Sequence, residues 1–386
     1  MPIIDRIADF AEDITAWRRD FHEHPELGMQ EVRTSGIVAD LLREWGIETH
    51  TGIGKTGVVG ILKGKHESDR RIGLRADMDA LPIDERTNLP YASKNPGVMH
   101  ACGHDAHTAM LLGAAKYLAE TRDFAGTAVF IFQPAEEGLG GARAMLADDL
   151  FTRFPCDEVY GMHNNPNGEP QKIGVKPGEA MAGADFFDIR VNAFGSHAAM
   201  PHMSKDPIVI ATALVQQLQS VVSRNVPPTE PLVLSVTQIH AGAAYNVIPS
   251  EATICGTMRY FNPETADMVR ARMQALVAGV AQAYDLEIVL DSRNIFDVLV
   301  NDDKLSHVML EVAAEVVGEE NTSVTPQVRT GSEDFADMLR VVPGAYCTVG
   351  HGGTVPLHND GFILDEDILP VGASIYARLI ERRTAA

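Results

Sequence analysis

Five side chains able to bind a metal or move a proton fall within eight positions of MHACGHDAHTA, residues 99–109: His100, Cys102, His104, Asp105 and His107. Cys102 and His104 stand two apart, in what reads as a loop just before a helix. The N-terminus of a helix favours thiolate over thiol, and a bound metal does so far more strongly. A second cluster, FIFQPAEEGLGG at 130–141, sets the adjacent carboxylates Glu136 and Glu137 after an apolar run. Charge beside a buried strand is costly unless it is partnered. A metal would partner one carboxylate and leave the other to act on a metal-activated water. His163 in YGMHN and His358 in VPLHND come from farther along the chain. Each feature alone has an ordinary explanation: a core cysteine, a solvated Glu-Glu pair, a structural histidine. Together they make a set of thiolate, imidazole and carboxylate donors, which suits Zn, Co, Ni or Mn better than Ca.

The surrounding pattern indicates what holds these residues. The runs at 71–76, 127–132 (TAVFIF) and 158–162 read as strands, with a helix at 105–119 among them. A continuous β-branched and aromatic run such as TAVFIF is typical of a strand buried on both faces. The alternation implies an α/β domain with a mixed, largely parallel sheet flanked by helices. Sites in such sheets form outside the carboxyl ends of the strands, where Glu136 and His163 both fall. At the N-terminus Ile3, Ile7, Phe10, Ile14, Trp17 and Phe21 form one apolar stripe, which predicts a single helix ended by His24-Pro25. A second helix is expected over 34–45, closed by Gly46.

From about 183 the rhythm changes. Strand 186–193, helix 207–223, strands 232–240 and 252–260, helix 265–284 and strand 286–290 give the order β-α-β-β-α-β of a ferredoxin-like α+β unit. After 294 come a helix at 302–317, a short one at 333–339, a strand at 345–349 and a final helix from 368. Residues 1–182 and 294–386 are therefore expected to form one discontinuous catalytic domain, with 183–293 inserted in it.

Composition excludes several functions. The chain has 386 residues, and 32 basic against 53 acidic side chains give a net charge of −21. Such a surface repels nucleic acid and anionic membrane, so neither is expected as a partner. The N-terminus lacks the apolar stretch of a secretory signal, and no run approaches the roughly 18 apolar residues of a membrane span. Cys102, Cys156, Cys255 and Cys347 lie far apart, which suits a reducing cytoplasm better than a disulfide framework.

Eight segments, in order, carry a resemblance: LRADMDALP, HACGHDAHTAMLLGAA, QPAEEGLGGA, GMHN, GSHAAMPH, NVIPSEATICGTMR, GSEDF and LHNDGF. They resemble the M20 metallopeptidase family, and within it the amidohydrolase branch of hippurate hydrolases, N-acyl-amino-acid amidohydrolases and hydrolases of indoleacetic acid conjugates. The resemblance covers essentially the whole chain. It implies two divalent metal ions per subunit (Mn, Zn, Co or Ni), held by Cys102, His104, Glu137, His163 and His358, with Glu136 as general base. Many members carry a histidine two residues before the aspartate of the first motif. Here Asp77 takes that place and Cys102 would be the replacement ligand, while Asp79 resembles the aspartate that orients the site. The resemblance also implies that the inserted domain mediates dimerisation and that His197 reaches the partner's site. Asn246 and Arg259 would hold the substrate carboxylate. The implied substrate is a small N-acyl amino acid, and the implied assembly a homodimer or homotetramer. A dipeptidase or carboxypeptidase of the same fold is the alternative reading, and a binding protein that has lost catalysis a more distant one. Turner-versus-binder is discriminated by Glu136, because binding alone needs no base beside Glu137.

Overall fold

The computed structural model describes residues 3–384. The chain forms two compact units. One comprises the chain up to Ala180, Leu299–Val328 and the segment from Glu333 onward. Among the described residues its main sheet has eight strands, in the order Glu48–Ile53, Gly57–Lys63, Ala125–Gln133, His66–Asp77, Glu158–Asn165, Gly344–Gly350, Ile173–Val175 and Thr322–Val324. The central strands, from Ala125–Gln133 to Gly344–Gly350, pair in parallel. Antiparallel pairs flank them on both sides. Sequence periodicity passed over the two strands at the first edge. ETHTGI is mostly polar, and glycines interrupt the apolar run of GVVGILK. The strands Ile173–Val175 and Thr322–Val324 have three residues each, too few to show an alternation.

The helix His104–Thr121 is buried along most of its length and packs against Ala11–Glu23 and Leu369–Arg383. Gly113 permits this approach: a Cβ there would lie 2.7 Å from Ile14 Cδ1. The single N-terminal helix expected from the apolar stripe is instead two, Asp5–Asp9 and Ala11–Glu23, separated at Phe10 (φ −115°). The break leaves the stripe intact, since Ile7, Phe10, Ile14 and Phe21 are all buried.

A fully buried ion pair ties this layer to the site. Arg18 Nε lies 2.8 Å from Asp105 Oδ2, which also meets His22 Nδ1 at 2.8 Å. Burial works against the Asp105 carboxylate, but Arg18 and His22 hold its pKa below the ordinary aspartate range. A depressed folded pKa contributes stability above the unfolded value, and that stability is lost as pH falls toward the folded one. Arg18→Met should therefore cost about 3–5 kcal/mol of unfolding free energy at neutral pH, because it strands a buried charge. In mild acid the deficit should narrow as the stranded carboxylate of the variant takes a proton. Urea titrations at both pH values check this, and equal deficits would contradict it.

The second unit comprises Met181–Val298 and Arg329–Ser332. Its antiparallel sheet runs Leu232–Ala241, Glu251–Tyr260, Gly183–Asn192, Glu287–Phe296, with the helices Pro207–Asn225 and Pro263–Tyr284 packed on it. That strand order is the ferredoxin-like one. Alternate residues Phe187, Ile189 and Val191 enter the core beside Leu214, Leu218, Val269 and Val277. Asn262 starts the second helix: its side chain accepts from the Glu264 and Thr265 amides, and Pro263 occupies the first helical position. The unit extends beyond 183–293 for two reasons. Its last strand continues through polar DSRN to Phe296, with a register shift between Asn294 and Phe296. The Arg329–Ser332 segment also joins it, through a bridge to Met181 and a bond from the Ala182 amide to Arg329 O.

Candidate metal centre

Parallel pairing brings the carboxyl ends of several strands together, and the candidate residues sit there. Asp77 ends its strand opposite Gln133, and Asp79 follows two residues later. Glu136 and Glu137 follow Gln133, while His163 lies in register with Thr348 of the neighbouring strand. His104 opens a helix whose preceding residue, Gly103, has φ +85°. A Cβ at Gly103 would lie 2.4 Å from Asn164 Nδ2, so only glycine fits this turn. His358, in the loop beyond Gly344–Gly350, is itself left-handed (φ +62°) and is held by its amide bonding to Ala101 O.

Ligand atoms of Cys102, His104 and His163 lie within 4.8 Å of one another. The same holds for Cys102, Glu137 and His358, and for His104, Glu136 and Glu137. The tautomers suit ligation. His104 Nδ1 faces Asp79 Oδ1 at 3.1 Å, which leaves Nε2 bare, buried and without a hydrogen-bond partner. His163 Nδ1 donates to Asn164 O at 2.6 Å, so the lone pair on Nε2 points toward Cys102 Sγ, 3.4 Å away. Glu137 Oε1 is a buried acceptor with no hydrogen bond, and it faces His358 Nε2 at 3.1 Å. Buried polar atoms left unpaired in this way are costly. A cation on these donors would remove that cost, and the thiolate, imidazole and carboxylate set fits a divalent transition metal.

Electrostatics single out Glu136. Burial, then the charges of Glu333, Glu137 and Asp334, push the Glu136 carboxyl well above its ordinary range. The neighbouring Cys102 and Glu137 side chains raise His358 to about 10, whereas burial and the neighbouring His107 push His163 well down. Burial also raises the Cys102 thiol, with Glu137 adding to it. Besides burial, the negative charge concentrated among these donors raises Glu136, Cys102 and His358, and a bound cation would offset it. Asp79 links two of them: Oδ1 meets His104, and Oδ2 accepts the Glu137 amide at 3.0 Å.

His107 lies close to His104 and Asp77 in a further group, but both of its ring nitrogens are already bonded. Its Nδ1 meets Asp77 Oδ1 at 2.6 Å, and its Nε2 accepts from the Asn164 amide at 2.9 Å. Asp77 in turn accepts from Arg75 Nη1 at 2.7 Å, and Arg75 reaches Gln133, Glu333 and Asp334 with its other nitrogens. His100 and Asp105 stand outside every such group, Asp105 being committed to Arg18 and His22. Periodicity and spacing did not single out Arg75, Asn164, Glu333 or Asp334. The signal for Arg75 was present, as a charged residue inside the apolar strand run IGLRAD.

The remaining candidates belong to the second unit. His197 and Asn246 line one cavity of about 1060 Å³ with Phe194, Ser196, His240 and Ile248. His197 pairs with Val247 in a short ladder, and the Ala198 amide bonds to Asn246 O. His197 Nδ1 accepts the Ala199 amide at 3.1 Å, so in the neutral ring the proton sits on Nε2. Arg259 is not among the residues lining that cavity. It is half-buried, and its Nη1 donates to Ser332 Oγ at 2.6 Å.

The sequence profile of peptidase family M20/M25/M40 matches residues 73–382. The chain belongs to this family. It is 44% identical to a hippurate hydrolase of Campylobacter jejuni over 98% of both chains. It is 40% identical to an N-acetylcysteine deacetylase of Bacillus subtilis, covering 94% of each. Among solved structures it is similar to a dinuclear metal-binding peptidase of the M20 family from Bacillus subtilis, with a TM-score of 0.82, 36% identity and coverage of 97% of this chain and 98% of that one. These likenesses identify an M20 hydrolase of the amidohydrolase branch that works with divalent metal ions. Among the described residues, no helix is long and apolar enough to cross a membrane.

Proposed function

We propose that this M20 member hydrolyses the amide bond of N-acyl-L-amino acids, releasing a carboxylic acid and a free amino acid, with two divalent metal ions per chain. One observation carries the reading. Glu136 is buried between His104 and Glu137 on one side and Glu333 and Asp334 on the other, and no group containing Cys102, His163 or His358 includes it. We read this as the position of a base beside the metal centre. The names of the hippurate- and N-acetylcysteine-directed relatives support an N-acyl amino acid as substrate.

Cys102, His104, Glu137, His163 and His358 would hold the ions, which are Mn, Zn, Co or Ni. When bound, such ions act as Lewis acids and lower the pKa of water. Glu136 takes the proton of the attacking water and passes it to the leaving nitrogen. Asp79 orients His104 and the Glu137 backbone. His197 Nε2–H donates to the oxyanion, from the partner subunit of a homodimer or homotetramer. Asn246 and Arg259 hold the substrate carboxylate, for which a guanidinium fork is well shaped. Four unpaired cysteines support a cytoplasmic location.

A hydrolysis screen of N-acyl amino acids and dipeptides, with Mn-, Zn- and Co-loaded protein, tests the substrate class. Turnover of N-benzoyl- or N-acetyl-amino acids above dipeptides is expected, and the reverse order would make the chain a peptidase. For the ligands, Cys102→Ser should weaken metal binding, because a hydroxyl does not ionise as a thiol does at neutral pH. Elemental analysis after dialysis should find fewer ions per chain, and an unchanged stoichiometry would remove Cys102 from the set.

A further inference from the structure

The two glutamates at the centre of the proposed site sit on an irregular segment, 134–141, between the strand Ala125–Gln133 and the short helix Gly141–Ala147. Its backbone is bent sharply. Ala135 has φ +53°, Gly138 +78° and Gly140 +73°. A non-glycine residue in the left-handed region costs of order 1–3 kcal/mol and persists only where the surroundings impose it. The segment also closes on itself: Gly141 N bonds to Ala135 O at 3.0 Å, and a Cβ at Gly141 would overlap Pro134 O.

Three carboxylates supply the restraint, two accepting backbone amides within this segment and one the amide just after it. Glu31 Oε1 accepts from Ala135 N at 2.8 Å, and Asp79 Oδ2 from Glu137 N at 3.0 Å. Asp334 Oδ2 accepts from Ala142 N at 2.9 Å. Asp334 does more than the other two, because its second oxygen accepts from Gln133 Nε2 at 2.7 Å. It therefore grips the residue before the loop and the first turn after it. The helix Gly141–Ala147 has no side-chain cap of its own, so without Asp334 the Ala142 amide would be a buried orphan. Asp334 is itself immobilised. It is fully buried, and Arg75 Nη2 holds its Oδ1 at 3.1 Å while gripping Glu333 and Asp77.

We propose that Asp334 is a positioning residue, clamping both ends of the loop that carries Glu136 and Glu137 and so fixing the base relative to the ligand beside it. The proposal rests on the metal-site reading above. It differs from a general stabilising role in what it predicts: losing the clamp displaces Glu136 and Glu137, whereas substrate groups bound elsewhere are untouched. A displacement of about 1 Å at reacting groups costs on the order of 100-fold in rate.

The test uses the full-length protein and Asp334→Ala and Asp334→Asn variants, with Co(II) as the probe. Asp334→Ala should lower kcat about 100-fold with KM within roughly twofold, and should alter the visible Co(II) spectrum, since Glu137 moves. Asp334→Asn keeps an oxygen for the Ala142 amide and should lose only about 10-fold, an ordering set by the loop contact rather than by charge. Wild-type kcat and Co(II) spectrum with a lowered Tm would overturn the proposal, as would equal losses in both variants, which would assign Asp334 to neutralising Arg75. Should Asp334→Ala fail to fold, Ala142→Pro removes the same donor while leaving the Asp334–Arg75 pair in place. It should reproduce the kcat loss and the spectral change, and wild-type values there would overturn the clamp. If the wild-type protein hydrolyses no N-acyl amino acid, the substrate reading fails, while the Co(II) spectra still decide the role of Asp334.

Discussion

Glu136→Gln should leave the protein folded and loaded with metal while kcat falls by about 10²–10⁴-fold, the usual range for removing a general acid–base group. The substitution keeps the shape of the side chain and removes its capacity to accept a proton. Stability should not fall with activity. Glu136 is buried, and Glu333, Glu137 and Asp334 already push its carboxyl well above the ordinary range. Replacing a carboxyl in such a cluster by a neutral amide relieves like-charge repulsion. The expected set of measurements is therefore a large loss of kcat, an unchanged ion count by elemental analysis, and a Tm equal to or above that of the wild type. Surviving activity would place the base elsewhere. Loss of metal along with activity would make Glu136 a ligand.

His197→Ala should cost about 10²–10³-fold in kcat if His197 donates to the oxyanion. The loss should fall mainly on kcat, because the oxyanion exists only after attack on the carbonyl. The tautomer supports the role: the Ala199 amide occupies Nδ1, so Nε2 bears the proton that would be donated. In the proposed dimer His197 serves the other subunit. An inactive Glu136→Gln protein mixed with an inactive His197→Ala protein should then regain activity, since one site of each heterodimer combines an intact Glu136 with the partner's His197. Random exchange of equal amounts restores about a quarter of the sites. No recovery in a mixture shown by mass spectrometry to exchange subunits would place His197 in its own chain's site or outside the mechanism.

The donor residues were legible because each is a rare type in an unusual setting: Cys102 between His100 and His104, or two carboxylates immediately after TAVFIF. The structure brings Cys102, His104, Glu137, His163 and His358 into overlapping groups. The rest was illegible for two physical reasons. Sequence spacing says nothing about which ring nitrogen a neighbour occupies, so it gives no reason why His107 should be bonded elsewhere. Only the fold turns its two nitrogens toward Asp77 and Asn164. Long-range partners are also invisible to local pattern. Asp334 lies 192 residues from Ala142, and Arg75 lies 258 from Glu333. The fold divides in the same way. Long periodic elements such as Pro263–Tyr284 were readable, whereas Glu48–Ile53 and Thr322–Val324 take strand form mainly through the neighbours they pair with.

The most direct test of a two-ion amidohydrolase is a titration of chelator-stripped protein with Mn(II) or Co(II), following hydrolysis of an N-acyl amino acid and the number of ions bound per chain. The account predicts no turnover without metal and full activity at about two ions per chain. Full activity in the stripped protein, with metal absent by elemental analysis, would contradict it.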